Sequence, residues 1–191
     1  MRHKPQRTTV KEVLRIAVDL EKRTMQLYTR LANAFQGEEE LRKFWFGMAR
    51  HEAGHVGALA LVESFLTSDP TLAQASRVWF DPSTVVRLRS LLLAYGREAA
   101  RGVSVERAFE MAIDVESSEL EDVVMDLLQV VQEKMLREQA VQLLIHDLSD
   151  LSYMVEKFTH NEALLSRADD LVDRRVSAFS PPPEKGSATL F

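Results

Sequence analysis

Trp45-Phe-Gly-Met-Ala-Arg-His-Glu-Ala-Gly-His-Val-Gly-Ala-Leu59 is the stretch whose reading decides the fold. Taken at steps of three and four, Leu41, Trp45, Met48, Glu52, His55, Leu59, Val62 and Leu66 fall on one stripe of a helix. Six of these eight residues are apolar, so the stripe faces a core. The two exceptions, a carboxylate and an imidazole at i and i+3, sit together at its middle. A buried carboxylate left without a partner is costly. Something else in the chain has to answer it.

Helical periodicity extends outward on both sides. A first helix is predicted from about Thr9 to Phe35, with Leu14, Ala17, Glu21, Thr24, Tyr28, Leu31 and Phe35 on its stripe and Gly37 as its stop. Here too a carboxylate, Glu21, lies inside an apolar seam. The second helix runs from about Glu38 to Thr67. Ser68–Pro82 carries Asp-Pro twice and reads as a loop. A crossover helix from about Ser83 to Ala100 follows, with Arg87, Arg89, Arg97 and Arg101 on its wet side. Ser104 caps a third helix from Val105 to about Val130, whose stripe is Phe109, Ala112, Glu116, Glu119, Val123, Leu127 and Val130. A fourth reaches about Phe158, with Leu136, Ala140, Leu143, Asp147, Asp150 and Met154 on its stripe. A short fifth helix covers Asn161–Val176. The expected organisation is a loose segment over 1–8, one helical domain over 9–176 and a flexible tail over 177–191 containing Pro181-Pro-Pro183.

The two halves repeat. Ile16-Ala-Val-Asp-Leu-Glu21 lies over Met111-Ala-Ile-Asp-Val-Glu116, and the pairs Glu21/Glu116, Glu52/Asp147 and His55/Asp150 are each 95 residues apart. The same offset sets the turn between the third and fourth helices near Val131–Glu133, opposite Gln36–Glu38. A duplicated helical hairpin keeps such a register across two helices and the loop between them. Two hairpins joined by a long crossover make an all-α four-helix bundle with an extra helix in the connection and a short one at the C-terminal end. Glu21, Glu52, His55, Glu116, Asp147 and Asp150 then meet at one level, with Glu119 one turn beyond Glu116. No Lys or Arg shares their seam. So many carboxylates in a dry interior cannot all stay ionised and unpaired, and hard oxygen ligands beside an imidazole suit iron or manganese.

Composition narrows the alternatives. A net charge of −5 gives no nucleic-acid footprint. No apolar run has the length of a membrane span, and the first residues lack the apolar block of a signal peptide. The chain has no cysteine, which excludes thiolate metal sites, iron–sulfur clusters and cysteine nucleophiles and fits a cytoplasmic location.

With these residues in place, the chain resembles the ferritin-like di-iron carboxylate proteins, and within them the rubrerythrin family. That family builds its centre from a Glu on one helix of each hairpin and a Glu-x-x-His on the other. Glu21, Glu52-Ala-Gly-His55 and Glu116 match this pattern, and Glu119 matches the family's extra, mobile Glu. Tyr28 matches an aromatic often found past the first Glu. The resemblance spans roughly residues 9–158. It implies two iron ions (manganese as a substitute), oxidation of Fe(II) by O2 or peroxide or reduction of peroxide, a separate electron donor, and a homodimer. It also implies that Glu52 and a second-half carboxylate, Glu116 or Asp147, bridge the metals. The fourth helix departs from the pattern, because Asp147-Leu-Ser-Asp150 stands where Glu-x-x-His is expected. Asp is one methylene shorter than Glu, and Asp150 replaces a neutral nitrogen ligand. His146 is near enough in sequence to replace the lost imidazole.

Two other readings use the same residues. His51-Glu-Ala-Gly-His55 satisfies the His-Glu-x-x-His pattern of zinc metallopeptidases. It leaves Glu21, Glu116 and the repeat unexplained, and it needs His51 on the metal face. The other is a non-catalytic bundle that binds metal structurally or serves as an interaction or cargo protein, its seam carboxylates and histidine satisfying one another. Tyr28 is expected as a core aromatic with a bonded hydroxyl. His51 and His146 are expected behind the ligands or at an interface, and Phe44, Trp45 and Phe46 in the core or a dimer contact.

Overall fold

The computed structural model describes residues 9–71, 81–118, 120–130 and 134–179. Among these the chain is all-helical, without strands. In order the helices are α1 (Val10–Ala34), α2 (Glu39–Ser68), α3 (Pro82–Ala99), α4 (Val105–Glu116), α5 (Leu120–Gln129), α6 (Lys134–Phe158) and α7 (Glu162–Phe179).

Local chemistry sets the starts. Thr9 accepts from the Glu12 amide at 3.3 Å and caps α1. Asp81 accepts from the Ser83 amide at 2.9 Å, and Pro82 occupies the first turn, where its missing N–H costs nothing. The crossover helix therefore begins one residue earlier than Ser83. Ser104 accepts from the Arg107 amide at 3.2 Å. Just before it, Gly102 holds a φ of 93°, a left-handed turn that a side chain would resist.

The third helix of the sequence reading is two helices. The backbone breaks at Ser117 and Ser118, directly after Glu116. Ser117 Oγ donates back to the Asp114 carbonyl at 3.2 Å, and Ser118 Oγ accepts from the Leu120 amide at 3.4 Å. Adjacent serines thus give the backbone local partners that compete with the helical ladder. Glu119, the expected turn at 131–133, residues 1–8 and most of the tail lie outside the described residues. The part of the tail that is described corrects the expected boundary, since α7 continues past Val176 to Phe179.

α1 packs most extensively on α2, and α6 on α7; α5 touches α1, α2 and α6, while α4 packs on α6 and α7. α3 lies along α1, where Arg89 bonds Asp19 at 2.9–3.0 Å. One expected solvated arginine is therefore a clasp for the crossover. A second clasp joins α3, α4 and α7 at Asp114, which accepts from the Tyr95 hydroxyl and, at 2.6 Å, from Arg167.

An aromatic layer crosses the core. Tyr28 stacks on Trp45 with centroids 6.0 Å apart, and Trp45 meets Phe109 at 5.2 Å. Phe44, half-buried, packs edge-on to Trp45 at 4.7 Å, while Phe46 points outward at 65% exposure. Tyr28, Trp45 and Phe109 each stand seven residues from an acidic seam residue, Glu21, Glu52 and Glu116 respectively. Seven residues span about 10 Å of helix, so the aromatic and acidic layers are stacked one above the other.

Gly54 and Gly57 lie on the exposed face of α2, and a Cβ at either would meet nothing within 4 Å. Gly54→Ala and Gly57→Ala should each raise stability by about 0.5–1 kcal/mol in urea unfolding. Destabilisation by either would mean that this face is engaged by something closer than solvent.

Candidate metal centre

Each acidic side chain reaches the interior because its helix turns an otherwise apolar stripe inward. Glu21 comes from α1 and is fully buried; Glu52 comes from α2 and is 3% exposed. One turn on, His55 Nδ1 lies 3.4 Å from Glu52 Oε2 and 3.6 Å from Glu21 Oε2. One ligand atom from each of the three falls within 4.8 Å of the others. Metal–ligand bonds of about 2.1 Å put neighbouring ligand atoms about 3 Å apart and opposed ones about 4.2 Å apart. The two spacings from His55 Nδ1, 3.4 and 3.6 Å, lie between those limits.

Glu116 and Asp147 are also buried, at 4% and 5% exposure. The Tyr28 hydroxyl donates to Glu116 Oε1 across the interior from α1 to α4. Helical side chains lean toward the N-terminus of their own helix, so the Tyr28 ring descends from the aromatic layer and its hydroxyl arrives at the acidic one. His51, on α2, places Nδ1 2.7 Å from Asp147 Oδ1.

Asp150 does not join this group. Its side chain is 55% exposed and lies 3.5 Å from His146 Nδ1, itself 69% exposed. The reason is reach and hydration. His55, at the equivalent place in the first half, is long enough to turn inward. The short carboxylate of Asp150 stays in water beside the histidine one turn before it. His146 also stays outside, 3.7 Å from Asp147 Oδ1. His51 is the residue that the sequence reading underweighted, because it sits one position off the apolar stripe. The halved repeat was a usable signal, since the second half lacks an inward imidazole and His51 neighbours Glu52.

The electrostatics are those of an acidic interior short of donors. Both oxygens of Glu21 and Oε2 of Glu52 have no hydrogen-bond partner among the described residues. Burial holds the Glu52 carboxyl well above its ordinary range; the nearby Glu21 charge adds to this, and His55 works against it. Burial likewise pushes Glu116 up to about 7, opposed by the Tyr28 hydrogen bond and His55 and reinforced by Glu21 and Asp147. Without a cation, burial biases Glu52 and Glu116 toward their protonated forms. The oxygen-rich, single-imidazole set of Glu21, Glu52 and His55 could hold a metal ion, and its donor chemistry suits one of hard or borderline character.

No helix among the described residues is long and apolar enough to cross a membrane. No family model, curated protein or solved structure matches the chain.

The raised carboxyls make the metal-free protein acid-favoured. Both groups bind protons in the folded state at pH values where the unfolded chain has lost them. Their contribution is complete below the unfolded glutamate value of about 4.3 and is lost as pH rises through the folded values, about 7 for Glu116. Chelator-treated protein should thus lose on the order of 1–3 kcal/mol between pH 5 and 7.5 in urea titrations, and Glu116→Gln should flatten that slope. A stability that rises over this window would contradict the assignment.

Proposed function

We propose that the chain is a metal-dependent oxidoreductase of the ferritin-like, rubrerythrin-like type, its helices forming a four-helix bundle around a non-haem iron or manganese centre. The observation that carries this reading is the convergence of Glu21, Glu52 and His55 from α1 and α2, with buried carboxylate oxygens that no donor among the described residues satisfies. Glu21, Glu52 and His55 would hold one ion. Glu116 and Asp147 would be the ligands that the second half contributes.

Bound iron would supply electrons, with two Fe(II) each giving up one as a peroxide takes up two protons and leaves as two waters. The protein's part is to hold, dry and protonate. The Trp45–Phe109–Tyr28 layer closes one end of the acidic interior against water. Tyr28 keeps a hydroxyl proton against Glu116 Oε1, at a carboxyl whose own affinity for a proton is near neutrality. Together they form a proton reservoir beside the ligands. With no cysteine in the chain, electrons for repeated turnover would come from a separate donor. A homodimer remains part of the same family-based proposal.

A zinc peptidase would need His51 and His55 on one ion with Glu52 facing substrate water. His51 instead faces Asp147, His55 faces Glu21 and Glu52, and Glu52 is buried. A binding or cargo bundle with structural metal is the second reading, favoured by the exposure of Asp150, which leaves the second half without its expected ligand pair.

Metal analysis followed by rapid mixing of Fe(II)-loaded protein with peroxide separates the two. Stoichiometric iron with oxidation faster than that of free Fe(II) supports the oxidoreductase; tightly held redox-inert metal supports the second reading. Glu52→Ala should abolish metal binding while the helices stay folded, because it removes a buried polar group that folding must strip of water. Loss of the helical circular dichroism of Glu52→Ala at 25 °C would make Glu52 structural.

A further inference from the structure

The first half of the acidic interior carries an imidazole on its own helix, and the second half does not. Asp150, the residue in the equivalent place, is outside. Yet Asp147 is 95% buried from solvent, and its Oδ1 has no hydrogen-bond partner among the described residues. The nearest basic atom is His51 Nδ1, supplied by the opposite hairpin at 2.7 Å. Although close, the two atoms are not aligned as donor and acceptor, and His51 Nδ1 has no hydrogen-bond partner either. Such spacing without such alignment is what two neighbouring ligands of one ion show, since ligand atoms at right angles around a metal stand about 3 Å apart.

We infer that His51 is the missing nitrogen ligand of a second metal position, completed by Asp147 and Glu116 and shared between the two hairpins. The inference rests on the metal-binding reading above. In this arrangement His51 and His55, one turn apart on α2, serve different ions. His51 turns to Asp147 on α6, and His55 turns to Glu21 on α1. The repeat has therefore been rewired. An imidazole lost from the fourth helix is replaced from the second, four residues before the one that serves the first ion. Glu116, the last residue of α4 before the Ser117–Ser118 break, feels the charges of Asp147 and Glu21. Among the described residues only Glu21, Glu52 and His55 bring their ligand atoms within 4.8 Å of one another, so Glu116 would complete the second position by a shift of its side chain. The Tyr28 hydroxyl bonded to its Oε1 leaves Oε2 as the atom to coordinate. The ligand class is a divalent transition ion that accepts two carboxylates and one imidazole, Fe(II) or Mn(II) before Ca(II) or Mg(II).

The test is anaerobic equilibrium dialysis of the full chain against Mn(II), read as ions per chain by mass spectrometry and as coupled or isolated Mn(II) by electron paramagnetic resonance. Wild type should hold a pair of ions with a coupled signal. His51→Gln should lose one ion and give the signal of isolated Mn(II), while Asp150→Asn and His146→Gln keep the pair. His51→Asp, which restores a ligand, should recover the second ion at weaker affinity, and thermal melts of each variant check folding. A pair of ions retained in His51→Gln overturns the inference. A single ion in wild type, lost in His55→Gln but not in His51→Gln, also overturns it and leaves the metal-binding reading standing. No ion in wild type removes both.

Discussion

The constraint on which the structure depends is the burial of carboxylates with too few donors to satisfy them among the described residues. Glu21, Glu52, Glu116 and Asp147 come from α1, α2, α4 and α6, and all are at most 5% exposed. An apolar interior stabilises the helices by removing their stripes from water, but each charged oxygen it encloses loses hydration that the same packing cannot return. Protons or cations must make up the deficit. Protonation couples the protein's stability to pH, and metal binding, on the function proposed above, would couple it to metal as well.

Around this layer the other contacts act as positioning devices. Seven residues separate each of three acids from a ring in the aromatic layer, so packing of Tyr28, Trp45 and Phe109 fixes the height at which the acids meet. The hydroxyl of Tyr28 ties the two layers together across the interior. Farther out, the Asp19–Arg89 and Asp114–Arg167 pairs fasten the crossover and the last helix to the outside. Such half-exposed pairs contribute roughly 1 kcal/mol or less each, and their value lies in fixing which helix neighbours which.

Much of this was legible in the sequence, for a physical reason. A helix that buries one stripe must repeat its apolar residues every three to four positions, and an acid inside that stripe stands out. Glu21, Glu52, His55, Glu116 and Asp147 were visible in this way, and all but His55 are deeply buried. Asp150 met the same periodic criterion and is exposed, because periodicity gives the direction of a Cβ but not the reach of the side chain beyond it. His51 failed the criterion by one position, yet a long, planar side chain can turn back to a neighbouring helix. The break after Glu116 was missed because serines are tolerated in helices and interrupt them only when their hydroxyls find backbone partners.

The most direct test of a cation among these acids is anomalous diffraction from crystals soaked in Fe(II) or Mn(II), recorded on both sides of the metal's absorption edge. The account predicts a peak bounded by Glu21, Glu52 and His55 that vanishes below the edge. Ordered water bonded to those oxygens, with no anomalous peak at saturating metal, would contradict it.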